Sequence, residues 1–496
     1  MHKITTKIIS FLLATIFLCG CQQTPSNEIV TSKNDGVLQD KIKQTIPSKE
    51  NAQDAIPVSV QWTEQFTSTD GSVIFSVDIS DDLLTDVRNV VEVTPHRLTE
   101  NDIQNVAKSL LGDVDFYERR SSSKPEYSKS QYQAMINRLS AYASREALVD
   151  LMGESDADVY LEYVQLFIEQ WTSEYEAAQD ADPRLPCDWS LKKERHYNDS
   201  EVEIGNRTAA DDSDVLYANA EKNGIEYNFS VVTKDGSGYK VNSINLNLTE
   251  GLGLYPVDMA IYRSKLCRTD KPTDDQVKAI KDTAQNMLND MNLGKWSVIK
   301  ANIVSKQIDD VMEYVIHITA VPSFDNVSAI YGQKSENLQN AYSATYLMSS
   351  AEFEFSANGD ILFFSMNSPV DIVAAHNDNV ATMPIEELVE ACKQQLVLSD
   401  ADAFGLPLDV REEIEMAVGE GLLCKVTLME VEYGLGRVKV PDSDDNYYYI
   451  PVMAFKGIVE YVTEKTNALY YRNLTGEPGE NIPILVSINA IDGSII

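Results

Sequence analysis

Residues 273–304 read TDDQVKAIKDTAQNMLNDMNLGKWSVIKANIV, and this stretch decides the fold class. Thr273 is a hydroxyl residue followed three places on by Gln276, the pairing that closes a capping box at a helix start. Val277, Ile280, Ala284, Met287 and Leu288 then recur at helical spacing and make one apolar stripe. From 296 the period switches to two, and a strand is expected over 296–304. Further strands are expected over 313–321, 344–347 and 351–355. Asn358-Gly359 supplies turn chemistry ahead of a strand over 361–366. A capped helix followed by antiparallel strands is α+β grammar, a curved sheet with a helix packed on one face.

The same grammar recurs downstream. A helix opens at Met383-Pro384, with Glu386 and Glu387 in its first turn, where the helix dipole favours acids. Strands are expected over 423–431, 447–455 and 457–462, and from 482 to the end. Residues 272–370 and 383–496 therefore read as tandem α+β units. Short likenesses such as Gly359-Asp360-Ile361-Leu362 beside Gly493-Ser494-Ile495-Ile496 accompany the pattern. Upstream, 58–77 reads as a β-hairpin around Thr69-Asp70-Gly71, and 89–93 as a further strand. Thr99 opens a helix with Asp102 at the capping-box position. Helix-period patterns fill 128–178, with Met152-Gly153 as a break. An N-terminal α+β domain with a helical segment is thus expected over 58–183. From Arg184 the character is β. A β-rich segment is expected over 184–271, with a turn at Asp235-Gly236-Ser237-Gly238.

The chain has 496 residues, too many for one core of ordinary size, and a formal net charge of −36. Such a surface repels nucleic acid and anionic lipid headgroups, so nucleic-acid binding is excluded as a reading. No apolar run after residue 21 is long enough to span a bilayer as a helix.

Lys3 and Lys7 precede an apolar run over 8–18, too short to cross a hydrocarbon core of about 30 Å. Leu18-Cys19-Gly20-Cys21 follows, and it resembles the lipobox of bacterial lipoproteins. That resemblance implies a signal peptide over 1–20, cleavage after Gly20, and a lipidated Cys21 carrying diacylglyceryl on its sulfur. The mature chain would then be held at the extracytoplasmic face of the cell membrane by its acyl chains (palmitate being typical). Two buried chains, at about 0.8 kcal/mol per methylene, hold a protein stably. Residues 21–57 are polar and read as a flexible stalk, with a short helix possible from Asp40.

The segment Tyr448-Tyr449-Ile450-Pro451-Val452-Met453, with Phe455 and Gly457 and the closing Val486-Ser487-Ile488-Asn489-Ala490-Ile491-Asp492-Gly493-Ser494-Ile495-Ile496, resembles PepSY-type extracytoplasmic α+β domains. Those act mostly by binding or inhibiting proteins. Taken with the lipobox, Asn34-Asp35-Gly36 and Pro95-His96-Arg97-Leu98-Thr99, that ending is similar to a lipoprotein family of Gram-positive anaerobes defined only as a domain of unknown function (DUF6034). The resemblance implies address and architecture, and carries over no functional residue except Cys21.

His96, His196, His317 and His376 are far apart in sequence and show no metal spacing; His317, in an apolar strand, is expected to be the most buried. Ser190-Leu191-Lys192-Lys193 and Ser297-Val298-Ile299-Lys300 match S-x-x-K without the accompanying motifs of a penicillin-binding site. Gly434-Leu435-Gly436 lacks the third glycine of a dinucleotide loop and is read as lying between strands. Asp442-Ser443-Asp444-Asp445-Asn446 begins like a calcium loop, but Tyr447 and Met453 stand where glycine and glutamate belong. It reads as a solvated hairpin tip, as does Asp211-Asp212-Ser213-Asp214. No catalytic, cofactor-binding or metal residue is assigned. Tyr447-Tyr448-Tyr449 alternates along a strand, so one ring is expected to face outward. Cys187, Cys267, Cys392 and Cys424 are either buried free thiols or two disulfides in one of three pairings. The expected function is non-catalytic binding of an envelope protein or cell-wall component through sheet faces. A cell-surface hydrolase using a carboxylate pair such as Glu386-Glu387 is the alternative.

Overall fold

The computed structural model describes residues 35–44, 58–84, 87–118, 127–181, 184–197, 209–235, 240–248, 255–308, 311–332, 348–404, 408–440, 443, 445–473 and 482–496. The signal peptide expected over 1–20, Cys21 and the strand expected over 344–347 lie outside them, as does all of 21–57 except 35–44.

The chain opens with helix α1 (Asp35–Ile42) and a hairpin of β1 (Val58–Thr67) and β2 (Val73–Leu84), then β3 (Val90–Pro95). Helix α2 (Glu100–Leu111) follows, its start closed by the expected box: Asp102 N–H donates to Thr99 Oγ1, and Thr99 N–H donates to the Asp102 carboxylate. Ile103, Val106, Ala107, Leu110 and Leu111 are its buried face, and Gly112 at φ +77° ends it. After β4 (Phe116–Glu118) come α3 (Lys129–Ser140), α4 (Arg145–Met152) and α5 (Glu154–Ala177). Gly153, at φ +92°, is the break between α4 and α5.

Next are β5 (Lys192–Tyr197), β6 (Ala209–Lys222), β7 (Ile225–Asp235) and β8 (Lys240–Leu248). Helix α6 (Tyr255–Cys267) stands where the sequence was read as β-rich. Its apolar residues Val257, Ile261 and Tyr262 bury against other helices and the sheet, a tertiary partner that local pattern does not show. Helix α7 (Asp274–Met291) starts at the Thr273–Gln276 box and stops at Asn292 in the left-handed region. The strands β9 (Trp296–Ile308), β10 (Val311–Phe324), β11 (Val327–Ser328), β12 (Ser350–Phe355), β13 (Ile361–Asn367) and β14 (Val370–Asn377) follow. The last part holds α8 (Ile385–Leu398), a 3-10 turn (Ala401–Phe404), α9 (Leu408–Val418), β15 (Leu422–Lys439), β16 (Tyr447–Thr463), β17 (Leu469–Arg472) and β18 (Ile484–Asn489). Two strands expected over 447–462 are thus one, with Gly457 opposite a bulge in β15.

These elements form an α+β structure with two open sheets. In the first the order is β1-β2-β15-β16-β3-β14, with β17 and β18 also on β16; in the second it is β11-β10-β12-β13-β8-β7-β6-β4, with β5 on β6 and β9 on β10. Among the described strands pairing is antiparallel apart from β2 beside β15, which is parallel and was not anticipated; an isolated bridge from Ala329 to Leu435 is also parallel. Stretch 272–370 contributes mainly to the second sheet, where it joins strands from 209–248. Stretch 383–496 contributes to the first, where it joins 58–95. Gly36–Ile496 is one compact unit.

Helix α8 packs Leu388, Cys392 and Leu396 onto one face of the first sheet. The opposite face, with Tyr448, Ile450 and Val452 of β16, is covered in part by Leu38 and Ile42 of α1. The Asn377 side-chain amide donates to the Ile42 carbonyl at 2.8 Å, and Ala381 N–H donates to that of Gln44 at 3.1 Å. Residues 35–44 were expected in a flexible stalk; in the fold they are a docked helix, because the first sheet presents an apolar second face that Ile42 fills. Helices α2 and α7 cover the second sheet, and α3, α4 and α5 form a separate apolar cluster joined to it through α6.

Candidate functional site

His96 connects β3 to the start of α2, and both its ring nitrogens are engaged. Nδ1 lies 2.8 Å from Asp371 Oδ1 on β14 and Nε2 lies 3.2 Å from Asp102 Oδ2. Burial pushes the Asp102 carboxyl up, but hydrogen bonds from the Thr99 hydroxyl and amide and from His96 outweigh it and hold the group below its usual range. On the same strand pair His376 Nε2 meets Glu92 Oε2 at 2.6 Å, with the Tyr448 ring edge-on to the imidazole. Asn446 donates to the other Glu92 oxygen at 2.7 Å. These contacts bind β14, an edge strand, to β3 and α2. His317 is half-buried, its side chain 28% exposed against 18% for His96, which corrects the expected order. β10 is paired on both sides there, with Asn302 of β9 and Glu354 of β12, so the ring is exposed from the sheet face opposite the buried Ile316 and Ile318. The side chain of His196, on β5, lies outside the described residues.

The remaining candidates separate in space. Ser190 Oγ donates to Asp188 at 2.8 Å, while Lys193 stands exposed on β5. Ser297 and Lys300 lie on β9 with a β-bulge between them, opposite Val321 and Thr319 of β10. Gly434 and Gly436 are inside β15, not between strands; a Cβ at Gly434 would come within 2.8 Å of Ile330 Cγ1, so close strand approach is what the glycine serves. Asp211-Asp212-Ser213-Asp214 belongs to β6 and not to a hairpin tip. Its register opposite His196, Arg195, Glu194 and Lys193 sets three basic positions across from three acids. Asp442 and Asp444 lie outside the described residues. Glu386 and Glu387 are open to solvent on α8, and neither lines the clefts beside Phe404 or beside Tyr227. All three rings of Tyr447, Tyr448 and Tyr449 are buried, because β16 has core on both faces; the expected outward ring does not occur.

Among the described residues two clefts are clearest, of about 140 Å³ beside Phe404 and Ile496 and about 60 Å³ beside Tyr227 and Asp360. Both fall short of the roughly 300 Å³ at which small-molecule sites begin. Cys187, Cys267, Cys392 and Cys424 are free thiols, which decides the question the sequence left open. Burial pushes Cys187, Cys267 and Cys424 up to about 12 and Cys392 well above the usual thiol range, so none is a ready nucleophile.

What the described surface does offer is the outer side of α5. The inner side, with Ala157, Val164 and Trp171, is buried against α3 and α4. The outer side presents Val159, Tyr163 and Leu166, which are 56%, 51% and 56% exposed. This surface was not singled out from the sequence. The signal was there, since apolar residues recur at two phases of the helix in 157–171.

No protein-family model matches this chain, and no curated protein does. A crystal structure of an uncharacterized protein from Eubacterium rectale ATCC 33656 aligns over 93% of this chain and 98% of that one, at 10% identity and a TM-score of 0.34. Among the described residues no helix is long and apolar enough to cross a membrane.

Proposed function

We propose that this chain is an extracytoplasmic lipoprotein, anchored through Cys21, that works by binding another macromolecule and not by catalysis. The anchor half rests on Leu18-Cys19-Gly20-Cys21 and on the resemblance to the lipoprotein family of unknown function. The binding half is carried by one observation, the exposed apolar side of α5, on a molecule whose best-placed imidazole, that of His96, is already held by two carboxylates. The partner is an envelope protein, since a surface of net charge −36 is repelled by nucleic acid and by anionic headgroups.

The anchor is tested by expressing the full chain and its Cys21→Ala variant in a lipoprotein-processing host. The chain should fractionate with membranes and yield an N-terminal peptide beginning at Cys21 with the mass of a diacylglyceryl thioether. The variant should keep its signal sequence and lose acyl label. An unmodified Cys21, or acylation that survives the substitution, would sink the anchor.

A further inference from the structure

Helix α5 is apolar on two opposite sides, and a helix of that kind is ordinarily buried on both. Its inner side is already satisfied by α3 and α4. On the outer side Val159, Tyr163, Leu166 and Gln170 follow one another at spacings of four, three and four, the alternation of a coiled-coil seam. The half-buried Tyr160 and Phe167 widen the seam along one flank. Along the other flank Glu162, Glu169 and Glu176 repeat every seven residues, one per heptad, and all three are exposed. The whole of α5 contains no Lys, Arg or His.

Two features of one surface therefore point to one partner. Deepening the binding role proposed above, and resting on it, we infer that the outer side of α5 docks an amphipathic helix of another protein, with apolar residues on its seam and Lys or Arg flanking them. The seam supplies burial and the glutamate row supplies pairing and register. The charge pattern also argues against the other occupants. A second copy packing antiparallel through this side would set glutamate row against glutamate row, a like-charge arrangement that coiled coils avoid. A membrane surface selects interfacial helices that are rich in Lys and Arg, the opposite of this one. The apolar seam from Val159 to Leu166 is about 11 Å long at 1.5 Å per residue, so the contact is short and of the transient class.

The test uses the purified folded chain and three synthetic 21-residue helices. All share Leu and Ile on the seam, and their flanking positions carry Lys, Glu or Gln. Fluorescence anisotropy at low salt should show the Lys helix binding at least tenfold tighter than the Gln helix and the Glu helix weakest. The triple variant Glu162→Lys, Glu169→Lys, Glu176→Lys should invert that order. The double variant Val159→Ser, Leu166→Ser should weaken the Lys helix at least tenfold with an unchanged circular dichroism spectrum. A control pair on another exposed helix, Glu412→Lys and Glu413→Lys on α9, should change the affinity less than twofold. Equal binding of the three helices overturns the inference. So does an equal loss from the α9 pair, which would mean nonspecific attraction to an acidic surface. Self-association abolished by Val159→Ser, Leu166→Ser would give the surface to a second copy. Binding to phosphatidylcholine vesicles through the same residues would give it to a membrane. A chain that still reaches the membrane through Cys21 but binds none of the helices loses this assignment alone.

Discussion

Both nitrogens of His96 face carboxylates on different elements, so the ring works as a clamp: it ties Asp371 of β14 to Asp102 at the start of α2. His96→Ala should destabilise the protein by about 1–3 kcal/mol in urea unfolding, the usual range for losing hydrogen bonds to charged groups. It should also speed amide exchange in β14 before other strands. A loss confined to α2 would contradict the clamp. Asp70 makes a second residue-level statement. In the β1–β2 turn its carboxylate accepts from Ser68 Oγ, then from Ser72 N–H and Oγ, and these bonds lower it to about 2. A lowered carboxyl stabilises the fold fully above its unfolded value and loses that contribution as pH falls through its folded value. The turn should therefore hold down to about pH 4 and weaken between there and pH 2, and carboxyl-resolved NMR titration checks the midpoint. Asp102 was legible in the sequence as a capping residue, but the clamp was not, because Asp371 lies 275 positions from His96 and meets the ring only through strand pairing.

At the scale of elements, what could be read from sequence was what local chemistry controls. The boxes at Thr99 and Thr273 and the break at Gly153 stand where their residues imply, since each depends on neighbours within four positions. Thr273→Ala should cost about 1 kcal/mol, the usual worth of an N-cap, measured by thermal or urea unfolding. Helices α6 and α9 and strand β14 were not legible. Their apolar residues become intelligible only against the surfaces they meet. The turn at Asn223-Gly224, both residues at positive φ, carries a local signal in its Asn-Gly pair. Gly457 looked like a strand boundary and is instead the middle of β16: a Cβ there would sit 2.2 Å from the Thr427 carbonyl oxygen across the bulge. Gly457→Ala should therefore destabilise by roughly 2–4 kcal/mol, since backbone must move to accept it. A near-neutral result would show that the bulge can slide.

Over the whole molecule, the helical cluster of α3, α4 and α5 is fastened to the second sheet by buried charge. Glu313 of β10, with its side chain 1% exposed, lies 3.2 Å from Arg268 Nε and 3.5 Å from Arg263 Nε. Arg268 also donates to the carbonyls of Asp150 and Leu151 in the last turn of α4, groups that have no partner within their own helix. Removing Glu313 takes from Arg268 its buried carboxylate, while Arg263 keeps Glu354 at 3.2 Å. Glu313→Ala should thus cost about 3–5 kcal/mol and loosen α3, α4 and α5 first, as seen by hydrogen exchange. The four thiols of the folded part should react slowly with a thiol reagent until denaturant is added. Sequence by itself determined the α+β class, the capped helices, the acidic surface and the motif at Cys21, all of them local or compositional properties. Only the tertiary structure decided that the hairpin at 58–84 pairs with a strand 351 residues later, that the Tyr447–Tyr449 run is sealed on both faces, and that one side of α5 is left uncovered. Those outcomes depend on which surfaces meet at long range, and a surface left without a partner is defined only once every other surface has found one.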